Sequence, residues 1–210
     1  MIQWPFSLGI ALALLVVGGL LGDLWARTRR RRARDAERIR RPHYLLGLNH
    51  LVSDQPAAAI RELSRAVREE TDAVEAYLAL GNLLRENGQT ERAIDVHKSL
   101  LHRKDLSDWE RVQVLFALGL DFKKAGLVDR AERTFREVSQ RDPGHQAALR
   151  CLQQIQEELG DWAEATRLER EIRRTNGGSG ADRLPALECE WGRSLEEDDP
   201  EAAEQHYRAA

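Results

Sequence analysis

Cysteine is nearly missing from this 210-residue chain, which has two, Cys151 and Cys189. They lie far apart with no CxxC pairing, so neither a disulfide framework nor a four-thiolate metal site is indicated. Both fall at helix positions where a small apolar residue would serve, and they read as buried structural thiols. Aromatic residues are scarce at 6%, against 32% charged residues, and β-branched runs are few. That balance favours helix over sheet. The histidines are scattered: His97 and His102 stand five apart and do not share a helix face, which argues against a two-histidine metal site. No convergent polar constellation marks a catalytic centre. The chain therefore reads as a non-enzyme, with no catalytic residue, no metal and no cofactor of its own.

Charge is also absent from Met1 to Gly22, and Ile10 to Leu21 is almost purely aliphatic and glycine. With Asp23-Leu24-Trp25-Ala26 this stretch is just long enough to cross a bilayer as one helix. Trp4 and Trp25 would then sit near the two interfaces, where indole rings collect. Arginines follow at once: Arg27, Arg29, Arg30, Arg31, Arg32 and Arg34 are six of nine within residues 27 to 41. A cleavable signal peptide carries its basic residues before the apolar run and a small-x-small site after it. Neither is present, so an uncleaved anchor is expected. Translocating the arginines is unfavourable, which keeps them on the cytoplasmic side with the N-terminus across the membrane. From Pro42 onward the net charge is −9, against +6 before it. The basic stretch suits anionic lipid headgroups; at the membrane edge it is misplaced as a nucleic-acid arm. Gly18 and Gly22 form a small-xxx-small pair of the kind that lets two membrane helices pack, so a homodimer is possible.

What the rest of the chain has in quantity is regularly spaced alanine. Ala59, Ala93, Ala131, Ala165 and Ala202 are 34, 38, 34 and 37 residues apart. A small residue recurring near 34 marks a tetratricopeptide (TPR) array, in which each unit is a helix pair needing a methyl-sized side chain at its crossing. In a 34-residue register starting at Val112, Leu118 and Gly119 fill slots 7 and 8, Gly126 slot 15, Ala131 slot 20, Phe135 slot 24 and Pro143 slot 32. A unit starting at Val74 brings Leu80, Gly81, Gly88 and Ala93 to matching slots. The first unit turns on Asp54-Gln55-Pro56 instead of glycine, and the fourth has Gln153 at slot 8. The 38-residue step places an insertion of about one helical turn in residues 102 to 109, where Ser107 and Glu110 form a capping-box pattern.

The expected fold is all-α: a TPR solenoid of antiparallel helix pairs preceded by one N-terminal transmembrane helix. Its parts are an anchor (1–26), an arginine-rich segment (27–41), about four units (42–176), a flexible linker (177–183) and a partial fifth unit (184–210). That last unit lacks the polar terminal helix that a solenoid needs, so the chain reads as truncated, either a fragment or an incomplete gene model; a naturally short paralogue whose last helix frays is the other reading.

Binding is expected on the concave face, where slots 2, 5, 9 and 12 of each first helix point. These are Glu75, Leu78, Asn82 and Arg85 in unit two, and Gln113, Phe116, Leu120 and Lys123 in unit three. Asn82 and Arg85 share a face and together suit a peptide backbone and a carboxylate; an Asn82 hydrogen bond inside the array is the other reading. Phe116 and Leu120, one turn apart, are expected to be exposed for a partner or to pack on the junction at Trp109. Ile94 and His97 belong to second helices and serve packing.

The stretch Leu80-Gly81-Asn82-Leu83-Leu84-Arg85, with Ile94-Asp95-Val96-His97, resembles the lipopolysaccharide assembly protein B family. So do Leu118-Gly119-Leu120-Asp121-Phe122, Cys189-Glu190 and the order of the parts. The resemblance implies an inner-membrane adaptor that brings the deacetylase committing carbon to lipid A to the protease FtsH, and that an inner-membrane signalling partner relieves. It implies, too, a C-terminal rubredoxin-like metal domain in the family, which this sequence does not contain. The competing expectation is a general TPR scaffold for envelope assembly, secretion or cytochrome maturation.

Overall fold

Short turns join helices two by two along the chain. The computed structural model describes residues 42–69, 73–178 and 182–210, and the anchor and arginine-rich segment lie outside them, as do residues 179–181 of the linker. Ten helices are formed among the described residues: α1 (Pro42–Val52), α2 (Pro56–Arg68), α3 (Val74–Glu86), α4 (Thr90–Leu101), α5 (Asp108–Lys124), α6 (Val128–Arg141), α7 (Gln146–Leu159), α8 (Trp162–Thr175), α9 (Leu184–Leu195) and α10 (Pro200–Ala209). None of these is long and apolar enough to cross a membrane. Each odd-numbered helix packs on the next. The chain divides into two compact units, Met1–Thr71 and Asp72–Ala210. The first contains α1 and α2. In the second, α4 also packs on α5, α6 on α7 and α8 on α9, so the pairs stack in sequence.

The alanine ladder is the inside of the pairs. Ala59, Ala93, Ala131 and Ala165 are 0% exposed. Opposite them, the slot-8 glycines take the bulk of slot 24. A Cβ on Gly47 would lie 2.7 Å from Leu63 Cγ, and one on Gly119 would lie 2.6 Å from Phe135 Cε1. The ring of His97 stands against Gly81 in the same way. In the fourth pair Gln153 replaces glycine and the contact becomes polar: its Nε2 donates to Glu169 Oε2 at 2.8 Å, with both residues buried.

The fifth rung is displaced. Ala203, not Ala202, is the buried residue, and Ala202 is only half-buried. The reason lies in the turn. In the first four pairs the residue seven after slot 8 is left-handed: Asp54 (φ 51°), Gly88 (74°), Gly126 (72°) and Gly160 (75°). A hydrogen bond from the following N–H back five residues closes each turn, as from Gln55 to His50 O (2.9 Å) and from Leu127 to Phe122 O (2.9 Å). The fifth turn has no left-handed residue: Asp199 has φ −146° and instead caps α10, its Oδ1 accepting from the Ala202 N–H at 3.1 Å. This turn is one residue shorter, so Ala203 and Tyr207 replace the positions counted from the other pairs, and Tyr207 packs on Gly192.

The inserted junction behaves as its sequence suggests. Ser107 Oγ accepts from the Glu110 N–H at 3.2 Å and Glu110 Oε2 accepts from the Ser107 N–H at 2.7 Å, completing the capping box. The Ser107 hydroxyl also donates to Glu110 Oε2 at 2.5 Å, and this bond, with the one from the Ser107 N–H, holds the Glu110 carboxyl below its ordinary range. Leu106 turns back onto Val74, Leu100 and Val114, while Trp109 stays 69% exposed. Cys151 and Cys189 are free thiols and only half-buried, so they are less enclosed than expected. Burial still pushes the Cys151 thiol up.

Candidate functional site

The expected binding face is carried by α3 and α5, which pack on each other directly. Along α3, Glu75 is exposed and Leu78, Asn82 and Arg85 are half-buried. Along α5, Gln113, Phe116, Leu120 and Lys123 are all half-buried. The register therefore places the eight residues on two adjacent first helices, at graded depth. Phe116 and Leu120 differ from the expectation of open exposure, because both rest on the central core. The Phe116 ring tilts against Phe135 (centroids 5.8 Å apart) and His145 (4.7 Å), not against Trp109. A Phe at slot 5 is long enough to reach the ring at slot 24 of its own pair, so part of its area is spent internally.

The polar members divide by function. Arg85 already holds a carboxylate of this chain: its guanidinium donates to Asp121 Oδ1 at 3.0 Å and to the Ala117 carbonyl at 3.5 Å. Asp121 is wholly buried, and its other oxygen accepts from His97 Nδ1 at 2.5 Å. His97 is also wholly buried, as expected of a packing residue. Its Nε2, lying against Gly81, has no partner among the described residues. Three helices are thus joined through one carboxylate, α3 by Arg85, α4 by His97 and α5 by Asp121. Lys123 makes the corresponding link one unit on, donating to Gln154 Oε1 of α7 at 2.6 Å. Asn82, Glu75 and Gln113, by contrast, have side chains with no hydrogen-bonding partner among the described residues.

The Asp121 junction was missed in the sequence, although a carboxylate between Leu118-Gly119-Leu120 and Phe122 is a visible oddity. A buried acid within an apolar run needs a cation or donor brought from elsewhere. A similar site lies at Glu188, which is buried and accepts from Arg170 at 2.8 Å and His206 at 2.8 Å. Two clefts lie elsewhere. One of about 270 Å³ lies among α6, α7 and α8 beside Arg136, Gln156 and Arg167. A groove of about 440 Å³ beside Trp109 is lined by Val112, Arg141 and Pro143. Neither cleft is lined by the eight residues of the α3–α5 face, of which Glu75 is exposed and the other seven are half-buried.

Residues 44–106 and 116–179 match the tetratricopeptide repeat family. The chain belongs to that family. Among curated relatives, lipopolysaccharide assembly protein B of Escherichia coli (strain K12) is 36% identical over 131 residues, 62% of this chain and 33% of that protein. The protein of the same name from Haemophilus influenzae is 26% identical over 169 residues, 76% of this chain and 42% of its own length. The resemblance read from Leu80 to Leu101 thus agrees with relatives bearing that name, and the chain spans about a third of the E. coli protein. A tetratricopeptide repeat protein from Parabacteroides merdae ATCC 43184 superposes with TM-score 0.63 at 18% identity, covering 81% of this chain and 71% of that one. At that identity it speaks for the helix-pair fold of this TPR chain and nothing more.

Proposed function

We propose that this TPR chain is a membrane-tethered adaptor that regulates lipopolysaccharide synthesis by bringing the lipid A-committing deacetylase to FtsH. The observation that carries the reading is the 36% identity with lipopolysaccharide assembly protein B across 131 residues, joined to a partly exposed α3–α5 face. In this reading residues 1–26 hold the chain in the inner membrane with the N-terminus out, and the repeats lie in the cytoplasm. A client segment lies along Leu78, Asn82, Phe116 and Leu120. The side-chain amides of Asn82 and Gln113 meet its backbone, and Glu75 and Lys123 read its charge. Arg85 acts by positioning, since Asp121 occupies it, and it offers only its remaining guanidinium donors outward. An inner-membrane signalling partner would compete with or release the client. The chain itself performs no bond chemistry.

The test places a photo-crosslinking amino acid at Asn82 and, separately, at Gln113 in the chain as expressed in its membrane. Crosslinked partners are then identified by mass spectrometry. Recovery of the deacetylase or FtsH from these positions, and not from the distant Leu159, supports the adaptor. Recovery of other envelope-assembly proteins in their place favours the general scaffold, and capture of neither named partner refutes the specific reading.

A further inference from the structure

One described helix stands apart chemically. α1, Pro42-His43-Tyr44-Leu45-Leu46-Gly47-Leu48-Asn49-His50-Leu51-Val52, contains no Asp, Glu, Lys or Arg, while every other described helix carries at least three. Its buried side is accounted for, since Gly47 receives Leu63 of α2. The histidines also turn toward α2 and the intervening turn: His43 meets Glu62 at 2.7 Å and Glu69 at 3.1 Å, and His50 meets Gln55 at 2.9 Å. The opposite side is open and carries no charge, with Leu45 59%, Leu46 46% and Val52 89% exposed around the exposed Asn49.

The register explains why this side is bare. Pro42, Leu46 and Asn49 occupy slots 3, 7 and 10 of the first unit, and all three are exposed. In units three and four the same slots hold Val114, Leu118 and Asp121, then Ala148, Leu152 and Ile155, all buried. There α5 and α7 each pack on the second helix of the preceding pair. No helix pair precedes the first unit among the described residues, and terminal units ordinarily meet water with a polar face. α1 does not.

The chain before α1 indicates what covers it. Residues 27–41 hold nine arginines, and Ile39 is their one large apolar residue, so this stretch supplies cations far more than aliphatic area. Beyond them lies the apolar segment that ends at Ala26 and is uncharged from Met1 to Gly22. Fifteen residues separate that run from Pro42, a reach of about 50 Å fully extended and far less when coiled. An uncharged apolar face next to a dense cationic stretch matches the headgroup–acyl boundary of an anionic bilayer, where apolar side chains sink in and arginines meet phosphate.

We propose that the α1 face bearing Leu45, Leu46 and Val52 docks on the surface of an anionic membrane, with lipid taking the place of a preceding repeat. This rests on the tether reading, and the experiment separates the two. The full chain, with Cys151→Ala and Cys189→Ala, receives Leu46→Cys or, as control, Leu159→Cys, an exposed site in the fourth unit. Each is labelled with an environment-sensitive fluorophore and reconstituted into phosphatidylethanolamine–phosphatidylglycerol vesicles. At position 46 the emission shifts to the blue and brominated lipid removes roughly half of it, while position 159 behaves as in water. A chain that floats with the vesicles but leaves position 46 in water overturns the docking alone. Shielding of position 46 without bromolipid quenching means that a second copy or another protein covers α1, and also overturns it. A chain that fails to float overturns the tether, and the docking with it.

Discussion

Replacing Asp121 with alanine tests whether α3, α4 and α5 are joined through one buried carboxylate. The side chain is wholly buried and accepts from Arg85 on one oxygen and His97 on the other. Its removal strands a wholly buried imidazole donor and a guanidinium whose side chain is 15% exposed. Breaking a buried ionic junction from one side costs about 3–5 kcal/mol, because the remaining partners stay desolvated and unpaired. For a chain of this size that lowers the thermal midpoint by roughly 6–20 °C. The damage should be local. Amide exchange should accelerate in α3, α4 and α5 and leave α9 and α10 nearly unchanged, since each pair of a repeat array touches only its neighbours. Circular dichroism melts and exchange mass spectrometry read the two effects. The combined variant Arg85→Met, His97→Leu and Asp121→Leu should recover most of the loss, since apolar replacement of a whole buried network is often neutral. A loss under about 1 kcal/mol for Asp121→Ala, or a triple variant less stable than the single, would refute the reasoning.

Gly119→Ala should destabilise by about 1–3 kcal/mol, because the new methyl would lie 2.6 Å from a Phe135 ring that is 0% exposed and has no free space to move into. Phe135→Leu in the same chain should relieve part of that loss, and urea unfolding measures both. Ser107→Ala should cost about 1 kcal/mol at neutral pH through loss of the cap. The partner Glu110 has a carboxyl pKa lowered by its bonds to Ser107. The charged-carboxylate share of the cap is therefore present above the unfolded-state value near 4.3 and fades as pH falls through the lower folded value. The difference between wild type and variant should narrow on acidification below about pH 4, and melts across pH 3–7 detect it. A gap that widens on acidification would contradict the assignment.

Much of the architecture was legible because the rules that set it are local. Gly88, Gly126 and Gly160 mark left-handed turns through backbone sterics alone, and Ser107 with Glu110 marks a helix start through four consecutive residues. The crossing alanines at 59, 93, 131 and 165 follow from a fixed helix–turn–helix length. The same counting placed the fifth rung at Ala202, one residue early, because nothing in Glu196-Glu197-Asp198-Asp199 announces the missing turn residue. On the candidate face, spacing placed Glu75, Leu78, Asn82 and Arg85 beside Gln113, Phe116, Leu120 and Lys123 on neighbouring helices. It did not foresee how deeply Phe116 sits or that Arg85 is already engaged.

The sequence by itself determined the helix pairs, their turns and the junction, since each depends on residues within one or two turns of one another. Only the tertiary structure decided which polar groups meet. Arg85 and Asp121 are 36 residues apart and His97 and Asp121 are 24, so their contact depends on how α3, α4 and α5 stack. Gln153 reads as a lapse from glycine until Glu169 appears across the pair, 16 residues on. The bareness of Leu45 and Leu46 belongs to the same class. A leucine at slot 7 is core or surface according to whether another helix pair stands before it, and that is a property of the assembled layers.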